Sequence, residues 1–178
     1  MKIRVIALSI VLVLLNSCSQ KITKSLVVGD AVPSFSLLDQ NGANFSSVEA
    51  VGKQALVIYF YPKDDTPGCT KEACKFRDEF EVFSDLNAQV IGISSDDVGS
   101  HKKFAEKYNL PFTLLADTEK EVRKLFGVPT YAGGIIPGRV TYIINKKGNI
   151  IYVFDNMKDA EKHVSKAIEI LKKLENAH

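Results

Sequence analysis

The hydrophobic pattern of the chain alternates between runs typical of buried strands and spacings typical of amphipathic helices. Residues 55–61 (ALVIYFY) form a continuous β-prone apolar run between Gly52 and Pro62, which predicts a central strand buried on both faces. Between residues 66 and 86 apolar side chains recur every three or four positions, which predicts one long helix directly after that strand. Sites in sheets of this kind form at the carboxyl ends of strands, so the segment between strand and helix is the first candidate site.

The remaining predicted elements complete an α/β domain. Further strands are predicted at 90–94, 112–115, 140–144 and 150–154, further helices at 101–108, 119–126 and 159–174, and a short N-terminal hairpin at 35–45. Strands that alternate with helices and end in a hairpin and a closing helix predict a mixed central sheet with helices on both faces. No repeat or second domain boundary interrupts this pattern, so residues 26–178 are predicted to form one domain.

The first 25 residues follow a different pattern. Two basic residues precede a run from Val5 to Leu15 that is apolar apart from Ser9, which is typical of a secretory signal and too short to span a bilayer well. The following Leu15-Asn16-Ser17-Cys18 resembles the lipobox of bacterial lipoproteins. It predicts a signal peptide over 1–17, lipid on Cys18 and a tether over 18–25. The alternative is ordinary cleavage nearby, with Cys18 lost or idle.

These features predict an exported lipoprotein that is anchored in a membrane and faces the periplasm or the outside of the cytoplasmic membrane.

Composition adds that the chain is an ordinary globular protein, because 46% of its 178 residues are hydrophobic and 25% are charged. Collagen-like, coiled-coil and wholly disordered chains are thereby excluded. The net charge of +2 comes from the leader, so the rest of the chain has no electrostatic footprint for nucleic acid.

The segment after the central strand, Pro62 to Cys74 (PKDDTPGCTKEAC), contains two of the three cysteines. If Thr66 caps the following helix, Pro67 takes the first helical position and Cys69 falls in the first turn. The Cys69 sulfur then meets unpaired amides and the positive end of the helix dipole, which favours the nucleophilic thiolate. The alternative is that Cys69 is a small buried apolar residue, although packing alone does not require the close backbone approach that Gly68 allows.

Cys74 lies five residues after Cys69 on the same predicted helix. By helical rise and radius their Cα atoms would be roughly 8 to 9 Å apart. A disulfide needs a separation below about 7 Å. Either the two cysteines never pair, or the first turns of the helix unwind each time they do.

The residues of this segment resemble a known family. The run from Pro62 to Cys69 matches the Pro-x-x-x-Thr-x-x-Cys signature of the peroxiredoxins, in the form typical of their bacterioferritin comigratory protein or peroxiredoxin Q branch. Gly138-Arg139-Val140-Thr141, with the apolar strand that follows, resembles the second signature of the family. In this branch a resolving cysteine often lies five residues after the peroxidatic one, as Cys74 does. The resemblance covers Val27 to Leu174 and implies a thioredoxin-like fold.

The resemblance implies a thioredoxin-dependent, atypical two-cysteine thiol peroxidase with an antioxidant role. Cys69 would reduce hydrogen peroxide or an organic hydroperoxide and become a sulfenic acid. Cys74 would condense with it to give a Cys69–Cys74 disulfide, which thioredoxin or a similar dithiol donor would reduce. The implied reaction needs no metal and no organic cofactor, and members of the branch are often monomeric.

The resemblance also assigns the residues around the sulfur. The Thr66 hydroxyl would hold the peroxide, and Arg139 would stabilise the thiolate and the charge on the leaving oxygen. Taken alone, Arg139 would rather be interpreted as a surface charge at the end of a strand. Pro62 would shield the sulfur, and Pro67 and Gly68 would complete the pocket.

Four other polar residues have simpler expected roles. Glu72 either orients Arg139 or is an exposed acid favoured by the helix dipole. The three histidines do not cluster in the sequence: His101 precedes a helix, His163 lies in the last helix and His178 is C-terminal. Each histidine is predicted to lie on the solvated surface.

Three other classes of protein remain open as alternatives. A copper-binding chaperone on the same scaffold would use Cys-x3-Cys and a distant His. A disulfide oxidoreductase would place Cys-x-x-Cys at a helix start. A lipid-tethered binding module would have no catalytic activity. Peroxide consumption by the purified domain with a thiol donor would separate all of these from a peroxidase.

Overall fold

The computed structural model of the protein describes residues 24–176. The strands are β1 (Ser36–Leu38), β2 (Asn44–Ser46), β3 (Ala55–Phe60), β4 (Ala88–Ser94), β5 (Thr113–Ala116), β6 (Thr130–Tyr131), β7 (Ile136–Pro137), β8 (Val140–Ile144) and β9 (Ile150–Asp155). The helices are α1 (Ser47–Ala50), α2 (Pro67–Asp78), α3 (Phe80–Asp85), α4 (Val98–Tyr108), α5 (Glu121–Phe126) and α6 (Ala160–Glu175).

The central sheet has five strands in the order β5-β4-β3-β8-β9. β3 pairs in parallel with β4, and β4 in parallel with β5, whereas β8 runs antiparallel to both β3 and β9. The predicted mixed sheet is therefore confirmed. Because β3 and β8 run in opposite directions, the start of β8 lies beside the carboxyl end of β3.

β3 is buried on both faces, as its apolar run predicts. Val57 and Tyr59 belong to the core on the side of α2, α4 and α6. Ile58 and Phe60 belong to the core on the other side, which is covered by α5 and the N-terminal segment. The side chains of a strand alternate between faces, so this single strand stabilises both halves of the hydrophobic core.

The prediction of one long helix over 66–86 is wrong in one respect, because the structure has two helices there, separated at Glu79. Glu79 has φ −101° and ψ 11°, so helical geometry is interrupted between α2 and α3. The physical reason is tertiary packing: α2 packs against α6, whereas α3 packs against β4. One straight helix would not reach both neighbours.

The N-terminal edge of the described chain also differs from expectation. The tether was expected to reach Ser25, but the Ser25 hydroxyl donates a hydrogen bond to the carbonyl of Gly127 (2.6 Å). The amide of Leu26 donates to the carbonyl of Phe126 (3.0 Å), so Ser25 and Leu26 are both attached to the end of α5. Within residues 24–176 no helix is both long and apolar enough to cross a membrane.

Two short elements were not predicted from the sequence. α1 is a single turn that depends on Ser47, whose hydroxyl accepts from the amide of Phe35 (2.9 Å) and donates to the carbonyl of Pro33 (3.0 Å). The β6–β7 ribbon spans only two residues on each side. Elements this short contain too few residues for a hydrophobic periodicity to be detected. Their conformation depends instead on long-range contacts.

We expect Phe126→Ala to lower the free energy of unfolding by about 3–5 kcal/mol, because the ring is fully buried against three other aromatic rings. Its centroid lies 5.0 Å from those of Phe60 and Tyr142 and 5.9 Å from that of Phe35. Urea denaturation measures the change. Leu125→Ala is the matched control, since Leu125 is the preceding residue of the same helix but is 43% exposed. Equal losses in the two variants would contradict this description of the core.

Candidate active site

The first turn of α2 follows the arrangement that the sequence predicts. Thr66 is the N-cap residue, and the first helical hydrogen bond runs from the amide of Thr70 to the carbonyl of Thr66 (2.8 Å). The amides of Gly68 and Cys69 precede that bond, so the helix itself leaves them without an acceptor. Cys69 is only 2% exposed, and its sulfur therefore lies in a protected position at the positive end of the helix dipole.

The hydroxyl of Thr66 makes a different contact from the one that a capping threonine normally makes. It does not accept from an amide of α2. Instead it donates to the carbonyl of Lys63 (3.0 Å), within the loop that connects β3 to α2. The lone pairs of the Thr66 oxygen are therefore available to a donor.

Arg139 reaches the cysteine from the neighbouring strand. Val140 of β8 pairs with Phe60 of β3, so Arg139 lies beside the loop that follows β3. Its Nη2 atom lies 3.4 Å from the Sγ atom of Cys69, and its side chain is buried. The surface-charge alternative for Arg139 is therefore wrong. A Cβ at Gly68 would lie 3.3 Å from Nη2, so glycine leaves the space that the guanidinium occupies.

Glu72 is fully buried and forms an ion pair with Arg139. Its Oε2 atom accepts from Nη1 of Arg139, while Nη2 faces Cys69. Of the two alternatives for Glu72, the exposed acid is therefore wrong. Burial raises the pKa of Glu72 above its ordinary value, and the charge of Arg139 opposes that shift. Burial would lower the pKa of Arg139, but the charges of Glu72 and Cys69 raise it, so the guanidinium stays charged.

The prediction that His163 lies on the solvated surface is wrong. Its side chain is fully buried, and Nδ1 lies 2.8 Å from Oγ1 of Thr141 and 3.8 Å from Oε1 of Glu72. Nε2 lies 2.9 Å from the carbonyl of Asn156. Nε2–H therefore donates to that carbonyl, and Nδ1 accepts from the threonine hydroxyl. Burial lowers the pKa of His163 to about 4, so the ring is neutral at physiological pH.

The prediction for His101 is wrong for the same reason, whereas His178 lies outside the described residues. His101 is fully buried in α4, with Nδ1 2.9 Å from Oδ2 of Asp64 in the loop before α2. One signal in the sequence was overlooked: both histidines occupy apolar helix faces. His101 precedes the buried Phe104 and Ala105 by three and four residues, the spacing that defines one face of a helix.

The other residues of the predicted site lie around this centre with different exposure. Pro62 is half-buried, whereas Pro67 and Gly68 are exposed. Cys74 is half-buried on the same unbroken helix as Cys69, and both thiols are free. Among residues 24–176 no group of three or more His, Cys, Asp or Glu side chains is arranged to hold a metal ion. The structure thus brings Cys69, Arg139 and Glu72 into contact and leaves Cys74 apart from them.

Comparison with known proteins places this geometry in a family. Residues 28–153 match the model of the AhpC/TSA family. A peroxiredoxin Q of Populus jackii is 47% identical over 159 residues, which cover 89% of this chain and 72% of that protein. A peroxiredoxin Q of Arabidopsis thaliana is 50% identical over 144 residues, which cover 81% of this chain and 66% of that protein.

Solved structures agree with the sequence comparison. The peroxidoxin BcpB of Mycobacterium tuberculosis superposes with a TM-score of 0.77 at 34% identity, over 82% of this chain and 96% of that one. The bacterioferritin comigratory protein of Xanthomonas campestris, studied for alkyl peroxide reduction, superposes with a TM-score of 0.73 at 28% identity, over 81% and 98%.

The chain therefore belongs to the AhpC/TSA family, in its peroxiredoxin Q and bacterioferritin comigratory protein branch. It is a thiol-dependent peroxidase that reduces peroxides, and it has an antioxidant role. A peroxide substrate and a thioredoxin-like reductant fit this class of enzyme.

The predicted location as a membrane-anchored lipoprotein is wrong. The plant peroxiredoxin Q proteins that match this chain are named as chloroplastic, which is a plastid location. The signal peptide over 1–17 and the lipidation of Cys18, on which the prediction depended, lie outside the described residues. A short lipobox-like motif was too unspecific to determine the location.

Because the ring of His163 stays neutral in the fold, we expect the protein to lose stability as the pH falls from 6.5 to about 4. In that window the unfolded chain binds a proton that the folded chain does not, and the lowered pKa corresponds to a loss of about 3 kcal/mol. Above pH 6.5 this contribution is fully present. Urea denaturation across the window measures the loss. His163→Gln removes the titrating ring, so its stability should depend less steeply on pH, and an unchanged dependence would contradict the assignment.

Proposed function

We propose that Cys69 is the peroxidatic nucleophile of this peroxidase and that Cys74 is its resolving cysteine. We propose further that hydrogen peroxide and organic hydroperoxides are the substrates and that thioredoxin or a similar dithiol is the electron donor. The observation that carries the proposal is the contact at 3.4 Å between the Sγ atom of Cys69 and the Nη2 atom of Arg139, at the start of α2. A guanidinium and a helix N-terminus both stabilise the thiolate form of a cysteine relative to the thiol.

In the first step the thiolate of Cys69 attacks one oxygen of the hydroperoxide. The S–O bond forms as the O–O bond breaks, so Cys69 becomes a sulfenic acid and the other oxygen leaves as hydroxide or alkoxide. The leaving oxygen takes a proton and departs as water or an alcohol. Arg139 stabilises the negative charge that moves from sulfur to this oxygen, because its N–H groups point at the place where charge develops.

Thr66 orients the peroxide in this proposal. Its hydroxyl already donates to the carbonyl of Lys63, so its oxygen acts as an acceptor for the hydroperoxide O–H. The amide of Cys69 donates to the second oxygen. The peroxide would therefore be held at both oxygens, with the O–O bond in line with the sulfur.

Glu72 acts through Arg139 in this proposal. The carboxylate pairs with Nη1, and this contact leaves Nη2 directed at the sulfur. A planar guanidinium held at one end cannot rotate away from the sulfur as a lysine ammonium could. Glu72 is therefore a positioning residue, since it touches neither the peroxide nor the sulfur.

In the second step the thiolate of Cys74 attacks the sulfenic sulfur of Cys69. The S–S bond forms as the S–O bond breaks, and the sulfenic oxygen leaves as hydroxide, which takes up a proton from solvent to become water. An external dithiol then returns both thiols by disulfide exchange. Both cysteines lie on α2, so the helix between them must unwind before they meet. Since one chain supplies both sulfurs, we propose that residues 26–178 are a complete catalytic unit and act as a monomer.

Cys69→Ser should abolish peroxide reduction, because an alcohol is too weak an acid to supply the nucleophile without a base. Cys74→Ser should still complete one oxidation and then retain a sulfenic acid, which dimedone labels and mass spectrometry detects. The two variants therefore control for each other, as each removes one thiol from the same helix. Normal turnover by the Cys69→Ser variant would disprove the assignment.

Arg139→Lys should slow the oxidation of Cys69 by roughly tenfold or more, since a point charge does not replace the guanidinium that contacts both Cys69 and Glu72. Stopped-flow measurement with hydrogen peroxide gives the rate constant. Arg123→Lys is the matched control, because Arg123 is also buried but donates to the carbonyl of Tyr61. If the two variants react equally fast with peroxide, the catalytic role of Arg139 is refuted.

A further inference from the structure

The loop between β3 and α2 is held by a buried carboxylate that the peroxidase mechanism does not use. Asp64 is only 6% exposed, although it lies in a loop. Its Oδ1 atom accepts from the hydroxyl of Tyr61 (2.6 Å), and its Oδ2 atom accepts from the hydroxyl of Ser100 (2.8 Å). Nδ1 of His101 lies 2.9 Å from the same Oδ2 atom. The amide of Asp64 donates to Oδ2 of Asp96 (2.9 Å), so backbone and side chain are both fixed.

The second nitrogen of His101 also faces an acceptor. Nε2 lies 3.1 Å from the carbonyl oxygen of Leu115 at the end of β5. A carbonyl oxygen accepts hydrogen bonds and cannot donate them, so Nε2 carries a proton. If Asp64 is ionised, its oxygen also accepts only, and Nδ1 must then carry a proton too. An imidazole ring with both nitrogens protonated is a cation.

His163 shows the opposite arrangement in the same protein. Its Nε2 atom also faces a carbonyl, that of Asn156, but its Nδ1 atom faces the hydroxyl of Thr141, which can donate. The group closest to Nδ1 is thus a carboxylate at 2.9 Å in His101 and a hydroxyl at 2.8 Å in His163, where the Glu72 carboxylate is farther away at 3.8 Å. The hydroxyl of Tyr61 also lies 3.4 Å from Nδ1 of His101, but it donates its proton to Asp64 at 2.6 Å. Each histidine therefore serves as a reference for the other.

We propose that His101 is a doubly protonated cation whose buried ion pair with Asp64 positions the loop of residues 62–66, and with it Thr66, for the reaction with peroxide. This inference rests on the proposed roles of Cys69 and Thr66. His101 and Asp64 are positioning residues, because neither contacts the sulfur of Cys69.

The charge of Asp64 agrees with this arrangement. Burial alone would raise the pKa of Asp64, but the hydrogen bond and charge of His101 lower it below its ordinary value, together with the hydroxyls of Tyr61 and Ser100. A buried ion pair needs further hydrogen bonds to offset desolvation, and Asp64 has those two hydroxyl donors. The competing arrangement is a neutral pair, in which Asp64 is protonated and donates to Nδ1.

The adjacent residue provides a matched control. Asp65 also joins the loop to α4, where it accepts from Nζ of Lys107 (2.6 Å) and from the hydroxyl of Tyr108 (2.6 Å). That ion pair is exposed to solvent, so it contributes little to stability. Asp65 has φ 54°, a conformation that asparagine tolerates well, so Asp65→Asn preserves the backbone. The loop thus has one buried and one exposed attachment to the same helix.

The charge is tested by ¹⁵N NMR of the full chain labelled at histidine, at neutral pH, with the signals assigned by His101→Gln and His163→Gln. We expect His101 to show two protonated ring nitrogens and His163 to show one. In Asp64→Asn the amide can donate to Nδ1, so His101 should become neutral. A single protonated nitrogen on His101 in the unsubstituted protein would overturn the proposal, whatever the enzyme's activity.

The positioning role is tested by two reactions of Cys69. With hydrogen peroxide, Asp64→Asn and His101→Gln should react about tenfold or more slowly, because a small misplacement of a positioning group is costly. Alkylation by iodoacetamide needs the thiolate but not Thr66, so its rate should stay within about twofold. Asp65→Asn should change neither rate by more than about twofold.

Each outcome of the kinetic test has one meaning. A slower reaction with peroxide at an unchanged rate of alkylation supports the proposal. Circular dichroism serves as the control that the variants are folded. If both reactions slow together, or if neither does, the positioning role is overturned. If Cys69 of the unsubstituted chain fails to react with peroxide, the proposed function fails instead, and the NMR result for His101 still stands.

Discussion

The helix α2 imposes the constraint on which the rest of the site depends. Its first turn places the sulfur of Cys69 3.4 Å from Nη2 of Arg139, at the positive end of the helix dipole. The same helix places Cys74 five residues farther along, where an intact helix keeps the two Cα atoms too far apart for a disulfide. In the proposed mechanism, the intact helix therefore activates the nucleophile and also keeps the resolving cysteine away from it.

Glu72 connects the placement of Cys69 beside Arg139 with the unwinding of α2, because it lies between the two cysteines. The carboxylate pairs with Arg139, so unwinding the segment between Cys69 and Cys74 also draws Glu72 away from the guanidinium. Once the proposed oxidation converts the thiolate of Cys69 into a sulfenic acid, Arg139 loses one of its two negative neighbours. In the proposed mechanism, one short segment of helix thus carries the nucleophile, the residue that orients its activating cation and the resolving thiol.

The sheet and the start of α2 could be predicted from the sequence alone, because those features depend on local residues. The run ALVIYFY predicts a doubly buried strand, and Thr66-Pro67 predicts the first turn that presents Cys69. The break at Glu79 was missed because it depends on two different packing partners of α2 and α3. Whether Glu72 is buried could not be decided from the sequence for a similar reason, since its partner Arg139 is 67 positions away. His101 and His163 were assigned to the surface although each lies on an apolar helix face, which was the signal available.

Hydrogen–deuterium exchange across α2 tests the central claim that the helix must unwind for the two cysteines to meet. The reduced protein should protect the amides of residues 70–74, as part of an unbroken helix. After one equivalent of hydrogen peroxide, peptide mapping should find the Cys69–Cys74 disulfide, and the same amides should exchange rapidly until a dithiol restores the thiols. A disulfide between these cysteines with full protection of residues 70–74 would contradict the account, and so would a disulfide that joins Cys69 to another chain.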